Sequence, residues 1–337
     1  MRRSARVALL GAVALAGSFA ATGSALALPR VSAAYHAPWE VRAELRRLEL
    51  DHPELVDVSV IGRSHEGQDI LMAKVSDQPG MDEDEPEVFL NARMHAREHI
   101  TTEQALALLG WLTDGYATSA RVRAIVDTTE VYIVPDLNPD GARYDLKGAR
   151  YQGWRKNRQS HRGARGTDLN RNFGYRWGCC GGSDAWPSST LFRGPRRFSA
   201  PEARIVRDLV AGREFVAAIA LHSYGGQVLW PYGYTTRDRP GDMPRSLHRI
   251  VTRLAKGIAS RNGYRPMQAS SLYITSGSFM DWAVGVHRLP TLTMELMPRT
   301  RNAGGFYPRA SRIRPITAAN RDALLWFLEQ AQLLPRP

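Results

Sequence analysis

The stretch Glu87–Leu112, "EVFLNARMHAREHITTEQALALLGWL", changes from a strand pattern to a helix pattern within a few residues. Its apolar opening, Glu87–Arg93, predicts a buried strand. Apolar residues at helical spacing then predict a helix over Thr101–Leu112, with its first or second threonine as the N-cap and a glutamate in its first turn. A strand that leads through a loop into a helix is the unit from which α/β folds are built.

The loop between this strand and this helix holds three residues with metal-ligand chemistry, His95, Glu98 and His99. If both histidines bound a metal, they would share one face of a helix and Glu98 would be free to act as a base. If His95 and Glu98 bound it together, a third ligand and the base would lie far downstream. Because the helix-start signal comes only after His99, we favour the second arrangement.

The rest of the chain alternates predicted strands with predicted helices, and its composition shows no linker or repeat. Strands are predicted at Val56–Gly62, Asp69–Asp77, Glu214–Gly226 and Leu289–Leu296, with Glu130–Gly141 as a strand that runs into a turn. Helices are predicted at Val41–Leu50, Arg245–Gly263 and Ile316–Leu334. This order predicts one α/β domain, in which a mixed, mostly parallel twisted sheet carries helices on both faces.

Polar residues stand where three of these apolar strands end. His95 and Glu98 follow the first, His222 ends the second and Glu295 lies at the end of the third. Ligands of α/β proteins gather at the carboxyl ends of strands, where a buried carboxylate is costly unless it is paired or bound to a metal. Catalytic zinc commonly takes three His or carboxylate ligands, and His222 suits the third place.

An ordered set of motifs extends this pattern along the chain. They are HARE at 95–98, NPDG at 138–141, WRKNR with Arg155, DLNRNF with Asn170 and Arg171, HSYGG with His222, YITSGSFMDW with Tyr273, and TMEL with Glu295. On these motifs the chain resembles the zinc carboxypeptidases of the carboxypeptidase A/B type, from about Trp39 to the C-terminal helix.

The resemblance implies a catalytic centre with one Zn²⁺ per chain. His95, Glu98 and His222 would be its ligands. Asp168 would orient His95 through the other ring nitrogen. Glu295 would be the general base for the attacking water, and Arg155 would stabilise the oxyanion that forms on the scissile carbonyl.

The resemblance also implies how a peptide would bind. Asn170, Arg171 and Tyr273 would hold the free C-terminal carboxylate of a peptide or protein substrate, for which the planar fork of arginine is suited. Arg97 would lie further out along the path of the peptide. His99 is expected to pack behind the site rather than to bind the metal.

The specificity pocket is expected to be apolar. The family position that separates apolar from basic C-terminal preference corresponds to Met280, which cannot pair with a C-terminal lysine or arginine. Leu229 and Thr293 are its expected walls. We therefore expect the enzyme to release apolar or aromatic residues from the C-terminus. The preferred size of the released side chain is left open, because the methionine side chain is flexible.

The N-terminus predicts export. Residues 1–27 combine arginines, an apolar run and a small-x-small end at Ala25–Ala27, which is typical of a secretory signal peptide. Residues 28–38 form a short segment that leaves no room for a long inhibitory prodomain before the catalytic domain, residues 39–337. Cys179 and Cys180 are adjacent, and in an exported protein two thiols are expected to pair. A vicinal disulfide would be strained, because neighbouring Cα atoms lie about 3.8 Å apart, and it would fix a local turn, so the redox state of the pair is left open.

The net charge of +12 comes from dispersed arginines, since only four of the 45 basic residues are lysines. A basic surface can bind nucleic acid, but no aromatic-interleaved binding motif accompanies it, so we expect no nucleic-acid partner, no membrane attachment and a monomer. Such a surface would still attract peptide carboxylates. The alternative functions are an amidase acting on cell-wall stem peptides and a non-catalytic peptide-binding member of the same fold.

Overall fold

The computed structural model describes residues 30–335, so the predicted signal peptide at residues 1–27 lies outside the described residues. The strands in the described range are β1 Val56–Arg63, β2 Asp69–Val75, β3 Glu87–Asn91, β4 Glu130–Val134, β5 Ser160–His161, β6 Ala164–Arg165, β7 Phe215–Ser223, β8 Gln227–Trp230, β9 Arg265–Gln268 and β10 Thr291–Leu296. The α-helices are α1 Pro38–Asp51, α2 His99–Tyr116, α3 Ala120–Val126, α4 Pro139–Asp145, α5 Pro201–Ala211, α6 Arg245–Asn262, α7 Phe279–His287, α8 Ala310–Ala318 and α9 Arg321–Ala331.

Eight of these strands form one sheet in the order β1-β2-β4-β3-β7-β10-β8-β9. The four central strands, β4, β3, β7 and β10, run parallel to one another. Antiparallel pairs flank them, with β1 and β2 at one side and β8 beside β10 at the other. The predicted α/β domain with a mixed, mostly parallel sheet is therefore confirmed.

Helices cover both faces of the sheet, and the side chains of β3 show why. Val88 and Leu90 join the core cluster that includes residues of α2, α6 and α9. Phe89, between them, joins a second cluster with residues of α5 and α7. Because successive side chains of a strand point to opposite faces, a strand with both faces buried is apolar at consecutive positions, as β3 is at residues 88–90.

The helix after β3 begins earlier than the sequence predicted. α2 starts at His99 with Glu98 in the N-cap position, so the predicted threonine cap is wrong. The Thr101 hydroxyl instead donates to the backbone oxygen of Glu98 (2.7 Å), and the Thr102 hydroxyl donates to another backbone oxygen (2.8 Å). Both hydroxyls therefore fasten the start of the helix to surrounding backbone, and His95 still lies in the loop before it.

The predicted closing helix, Ile316–Leu334, is wrong as a single element because it divides into the end of α8 and α9. The break falls at Asn320, which is fully buried. Its side-chain amide donates to the Gln104 side chain (2.9 Å) and to the Tyr264 hydroxyl (3.2 Å). Asparagine is a poor residue for a helix interior, and here its buried amide is used for tertiary hydrogen bonds.

Two further local features differ from the sequence prediction. The expected turn after β4 is the first turn of α4, in which the Asn138 side chain caps the helix by accepting from the Gly141 N–H (3.1 Å). The strands β8 and β9 were not predicted. Both are four residues long, and β9 contains Pro266, which weakens any strand signal.

The adjacent cysteines, Cys179 and Cys180, whose redox state the sequence left open, form a vicinal disulfide, with Cα atoms 3.8 Å apart. Within residues 30–335, no helix has the length and apolar character needed to cross a membrane.

Candidate active site

Three ligand-type residues meet at the carboxyl edge of the sheet. β3 and β7 are neighbouring parallel strands, so the loop that follows β3 lies beside the end of β7. That loop carries His95 and Glu98, and His222 is the penultimate residue of β7. All three side chains are buried, and their potential ligand atoms lie within 4.8 Å of one another. The structure thus brings together the three residues that the sequence proposed as metal ligands, here called the ligand cluster.

The contacts within this cluster suit a cation. The Nδ1 atoms of His95 and His222 lie 3.1 Å apart, and each also contacts a different oxygen of Glu98, at 2.8 and 2.9 Å. Two ring nitrogens this close need a proton or a metal ion between them. Although burial favours the neutral acid, the two imidazoles hold the pKa of the Glu98 carboxyl below its ordinary value. Two histidines and one carboxylate are a donor set that fits zinc.

Asp168 contacts one of these two histidines, His95, on the side away from Glu98 and His222. Its Oδ1 lies 3.2 Å from Nε2 of His95, while its Oδ2 accepts from Nε of Arg155 (2.9 Å). Burial alone would raise the pKa of the Asp168 carboxyl, but nearby Arg155 and Arg171 hold it well below the ordinary value. The ionised carboxylate favours a proton on Nε2 of His95, which leaves Nδ1 free to bind a metal.

Glu295 lies beside the ligand cluster because of strand register. β10 runs parallel to β7, and Glu295 is the register partner of His222. The Glu295 side chain is only partly exposed, and burial together with the nearby Glu98 charge raises its pKa to about 7, against the opposing effects of His222 and Arg155. A carboxyl group in this position and with this pKa is suited to exchange protons near neutral pH.

Four arginines in the described structure have a buried side-chain nitrogen without a hydrogen-bond partner, and two of these nitrogens belong to buried residues near the ligand cluster. They are Nη2 of Arg155 and Nη2 of Arg171. Arg155 is otherwise held by Asp168, and Arg171 donates from Nε to the Gly182 carbonyl (2.5 Å) and from Nη1 to the Asn170 carbonyl (2.7 Å). Buried donors are nearly always paired in folded proteins, so these two free N–H groups mark places where a ligand can accept.

Asn170 and Tyr273 both lie near Arg171. The Asn170 carbonyl side-chain oxygen accepts from the backbone N–H of Phe279 (2.9 Å), and its Nδ2 is 3.3 Å from Nε2 of His222. Sequence reasoning did not anticipate this contact with His222. Tyr273 is half exposed, and its ring centre lies 5.9 Å from the Arg171 guanidinium.

The three residues predicted for the specificity pocket also come together. Met280 and Leu229 belong to one small apolar cluster, and the Thr293 hydroxyl lies 3.6 Å from the Met280 sulfur. Ala269 and Met267 complete the cluster. Sequence reasoning missed these two because they lie in and beside the unpredicted strand β9.

Arg97 borders a cavity of about 1190 Å³ next to the ligand cluster. Its guanidinium carbon lies 4.0 Å from the centre of the Phe306 ring. Tyr224, two residues after His222, also lines this cavity, and arginines but no carboxylates are among its lining residues. Of Tyr224 and Phe306, only Tyr224 could be predicted from the sequence, because it lies two residues after His222.

His99 lies outside the ligand cluster. It is fully buried, and its Nε2 lies 2.8 Å from an Asp145 oxygen. Its ring packs near the rings of Tyr35, Tyr151 and Tyr307. In the described residues it is not part of the ligand cluster, which disfavours the arrangement in which both histidines of the loop bind one metal.

Comparison with known proteins gives matches over nearly the whole chain. A family model described as zinc carboxypeptidase matches residues 41–323. The zinc carboxypeptidase of Saccharothrix mutabilis subsp. capreolus is 41% identical over 307 residues, covering 90% of this chain and 70% of that protein. Carboxypeptidase B of Astacus astacus is 33% identical over 261 residues, covering 74% of this chain and 82% of that protein.

The solved structures agree. The crystal structure of thrombin-activatable fibrinolysis inhibitor superposes with a TM-score of 0.80 at 27% identity, covering 90% of this chain and 77% of that one. The family model, the relatives and the fold point to the same group of enzymes, and the donor set of the ligand cluster is one that zinc uses. The chain therefore belongs to the zinc carboxypeptidase family.

Proposed function

We propose that this zinc metallocarboxypeptidase is exported and removes single apolar or aromatic residues from the C-termini of peptides and proteins. The observation that carries the proposal is the pair of unpartnered guanidinium nitrogens, Nη2 of Arg155 and Nη2 of Arg171, beside the ligand cluster. A C-terminal peptide unit presents two acceptors that need such donors, the scissile carbonyl and the terminal carboxylate.

The proposed ligands of one zinc ion are His95, Glu98 and His222. When bound, zinc supplies polarisation of the scissile carbonyl and acidification of water. Glu295 is the proposed general base: its carboxylate removes a proton from the attacking water and returns it to the leaving amine. Asp168 keeps the His95 ring in one tautomer and orientation while this happens.

Each arginine has a separate proposed task. Arg155 donates from Nη2 to the oxygen of the scissile carbonyl as negative charge develops there, and its hydrogen bond to Asp168 holds it in place. Arg171, with Asn170 and Tyr273, binds the terminal carboxylate. Because only a chain end carries that carboxylate, this contact restricts cleavage to the last peptide bond.

The proposed pocket for the released side chain is the cluster around Met280, Leu229 and Thr293. Met280 and Leu229 are almost fully buried, and the side chains named for this pocket are all uncharged. None of them could pair with the charge of a lysine or arginine, and burying an unpaired charge is costly. Arg97 would line the path of the preceding residues, at the cavity that it shares with Tyr224.

Export is proposed from the sequence of residues 1–27, and the disulfide between Cys179 and Cys180 supports it because such bonds persist in oxidising compartments. We expect the mature protein to begin at Leu28 and to be a monomer. N-terminal sequencing of protein recovered outside the producing cell tests the first expectation, and a start at Met1 would contradict it.

The activity is tested with three matched substrates and product analysis by mass spectrometry. A peptide that ends in phenylalanine should lose that residue, the same peptide with a C-terminal amide should not, and a peptide that ends in lysine should react slowly. Cleavage of cell-wall stem peptides in preference to all three would instead indicate the amidase function. Failure to cleave any peptide, with zinc bound, would indicate a binding protein.

A further inference from the structure

The segment Gly178–Ser183, here called the cysteine turn, lies against the proposed carboxylate-binding arginine. Its sequence is GCCGGS, and it contains the disulfide between neighbouring residues Cys179 and Cys180. No step of the proposed mechanism uses this turn. Its contacts nevertheless lead directly to Arg171.

The backbone of the cysteine turn supplies the hydrogen bond that aims the Arg171 side chain. The Gly182 carbonyl accepts from Nε of Arg171 at 2.5 Å, and Arg171 is almost fully buried. The guanidinium is a rigid plane, so the direction of the Nε–H bond decides where the free Nη2 points. A shift of the Gly182 carbonyl would therefore move the nitrogen proposed to meet the substrate.

The same turn also fixes the segment that follows Tyr273. A Cβ added at Gly182, where φ is +68°, would lie 1.8 Å from the carbonyl oxygen of Ile274. The next residue, Ser183, shares a hydrogen bond of 2.8 Å with the Ser276 hydroxyl. Two of the three residues proposed to hold the terminal carboxylate, Arg171 and Tyr273, are thus adjacent to one short turn.

The composition of the cysteine turn explains why it needs a covalent constraint. Three of its six residues are glycines, which have the greatest backbone freedom, and the turn contains no helix or strand. A bond between Cys179 and Cys180 removes much of that freedom immediately before Gly182. Cys180 is exposed to solvent, so the bond is accessible to reductants.

We propose that the Cys179–Cys180 disulfide is a positioning element for recognition of the substrate's terminal carboxylate, acting through the Gly182 carbonyl on Arg171. This inference rests on the proposed function, since it assumes that Arg171 binds that carboxylate. It assigns the disulfide an effect on substrate binding that is separate from any general stabilisation of the fold.

Calorimetric binding of N-acetyl-L-phenylalanine and of its C-terminal amide to the zinc-loaded enzyme tests the proposal. In the Cys179→Ser/Cys180→Ser variant, binding of the acid should weaken by about two- to tenfold, the range for loss of one hydrogen bond, while binding of the amide is unchanged. In an Arg171→Gln background, the same cysteine substitutions should have no further effect on acid binding. Equal affinity of the acid for the wild type and the cysteine variant would overturn the proposal.

Two additional measurements distinguish a specific loss of acid binding from poor folding of the double cysteine variant. Reduction of the folded wild type by a phosphine should weaken acid binding in the same way; the phosphine donates two electrons, and water supplies the oxygen of the phosphine oxide and the protons of the two thiols. Gly182→Ala should also weaken it, whereas Gly163→Ala, at φ +70° with open space around it, should not. If Arg171→Gln leaves acid and amide binding unchanged, the proposed role of Arg171 fails, which is distinct from failure of the disulfide proposal alone.

Discussion

Two buried histidine–carboxylate clusters lie close together in the chain, and they differ in how complete their hydrogen bonding is. In the first, His95 and His222 turn their Nδ1 atoms towards each other at 3.1 Å. In the second, His99 is paired with Asp145, whose carboxylate also accepts from the backbone N–H of Trp154. The second cluster is complete within the protein, whereas the first needs a cation.

The difference separates structural from chemical roles of one residue type. A buried polar group that finds all its partners inside the protein stabilises the fold. Groups left without partners, such as Nη2 of Arg155 and Nη2 of Arg171, are placed for a ligand that the protein does not supply itself. Substitutions in the first cluster should therefore change chemistry, and substitutions in the second should change stability.

The largest effect is expected for Glu295→Gln. The amide cannot accept a proton from water, so kcat should fall by about 10²–10⁴-fold, while zinc content is retained. Glu202→Gln is a matched control, because burial also raises the pKa of the Glu202 carboxyl to about 7. Steady-state kinetics should show kcat unchanged in the control. A Glu295→Gln enzyme with wild-type kcat would exclude Glu295 as the base.

A smaller effect is expected for Arg171→Gln. Loss of a charge-assisted hydrogen bond to the terminal carboxylate should lower kcat/KM by about ten- to hundredfold. Arg314→Gln, at an exposed site, controls for the loss of one positive charge. The ratio of rates on a peptide acid and its amide is the deciding measurement, and an unchanged ratio would argue against Arg171 as the carboxylate ligand.

Met280→Asp should change which residue is released. The new carboxylate can pair with a C-terminal lysine or arginine, so the ratio of kcat/KM for basic over apolar substrates should rise by about tenfold or more. Competition between peptides ending in phenylalanine and in lysine measures that ratio directly. If it stays constant, Met280 does not line the specificity pocket.

The smallest effect on activity is expected in the second cluster. His99→Gln removes a buried partner of Asp145 and should lower the free energy of unfolding by about 1–3 kcal/mol without changing kcat. Burial lowers the pKa of the His99 imidazole, despite the opposing effect of Asp145. Below about pH 6.5 the unfolded chain takes up a proton that the native His99 resists, so the wild type loses stability on acidification.

His99→Gln should therefore show a weaker acid dependence of stability than the wild type. Chemical unfolding measured between neutral pH and pH 5 tests this expectation. A parallel pH dependence in the two proteins would show that His99 does not contribute to it.

The sequence predicted the ligand cluster because side chains that can bind a metal stand at the ends of predicted strands. His222 and Glu295 end apolar strands, and a parallel sheet places such ends at one edge. The register of β7 and β10, which makes these two residues neighbours, follows only from the assembled sheet. The family motifs supplied the identities of Arg155 and Asp168, whose positions in the chain show no strand or helix pattern.

Other features depended on tertiary contacts that no local pattern reveals. Asn320 interrupts the last helix because its amide bonds to residues far away in the chain. The contact of Asn170 with His222 and the contact of Gly182 with Arg171 each involve a segment, around residue 170 and around residue 182, that has no sequence periodicity. Strand β9 escaped prediction because it is short and contains a proline.

Zinc content of purified His222→Ala, His99→Ala and wild-type protein tests the central claim most directly. His99→Ala should keep the zinc content of the wild type, and His222→Ala should lose its zinc, because only His222 belongs to the cluster with His95 and Glu98. The opposite result, in which His99→Ala loses the metal and His222→Ala keeps it, would contradict the account. Glu98 would then be the candidate base in place of Glu295.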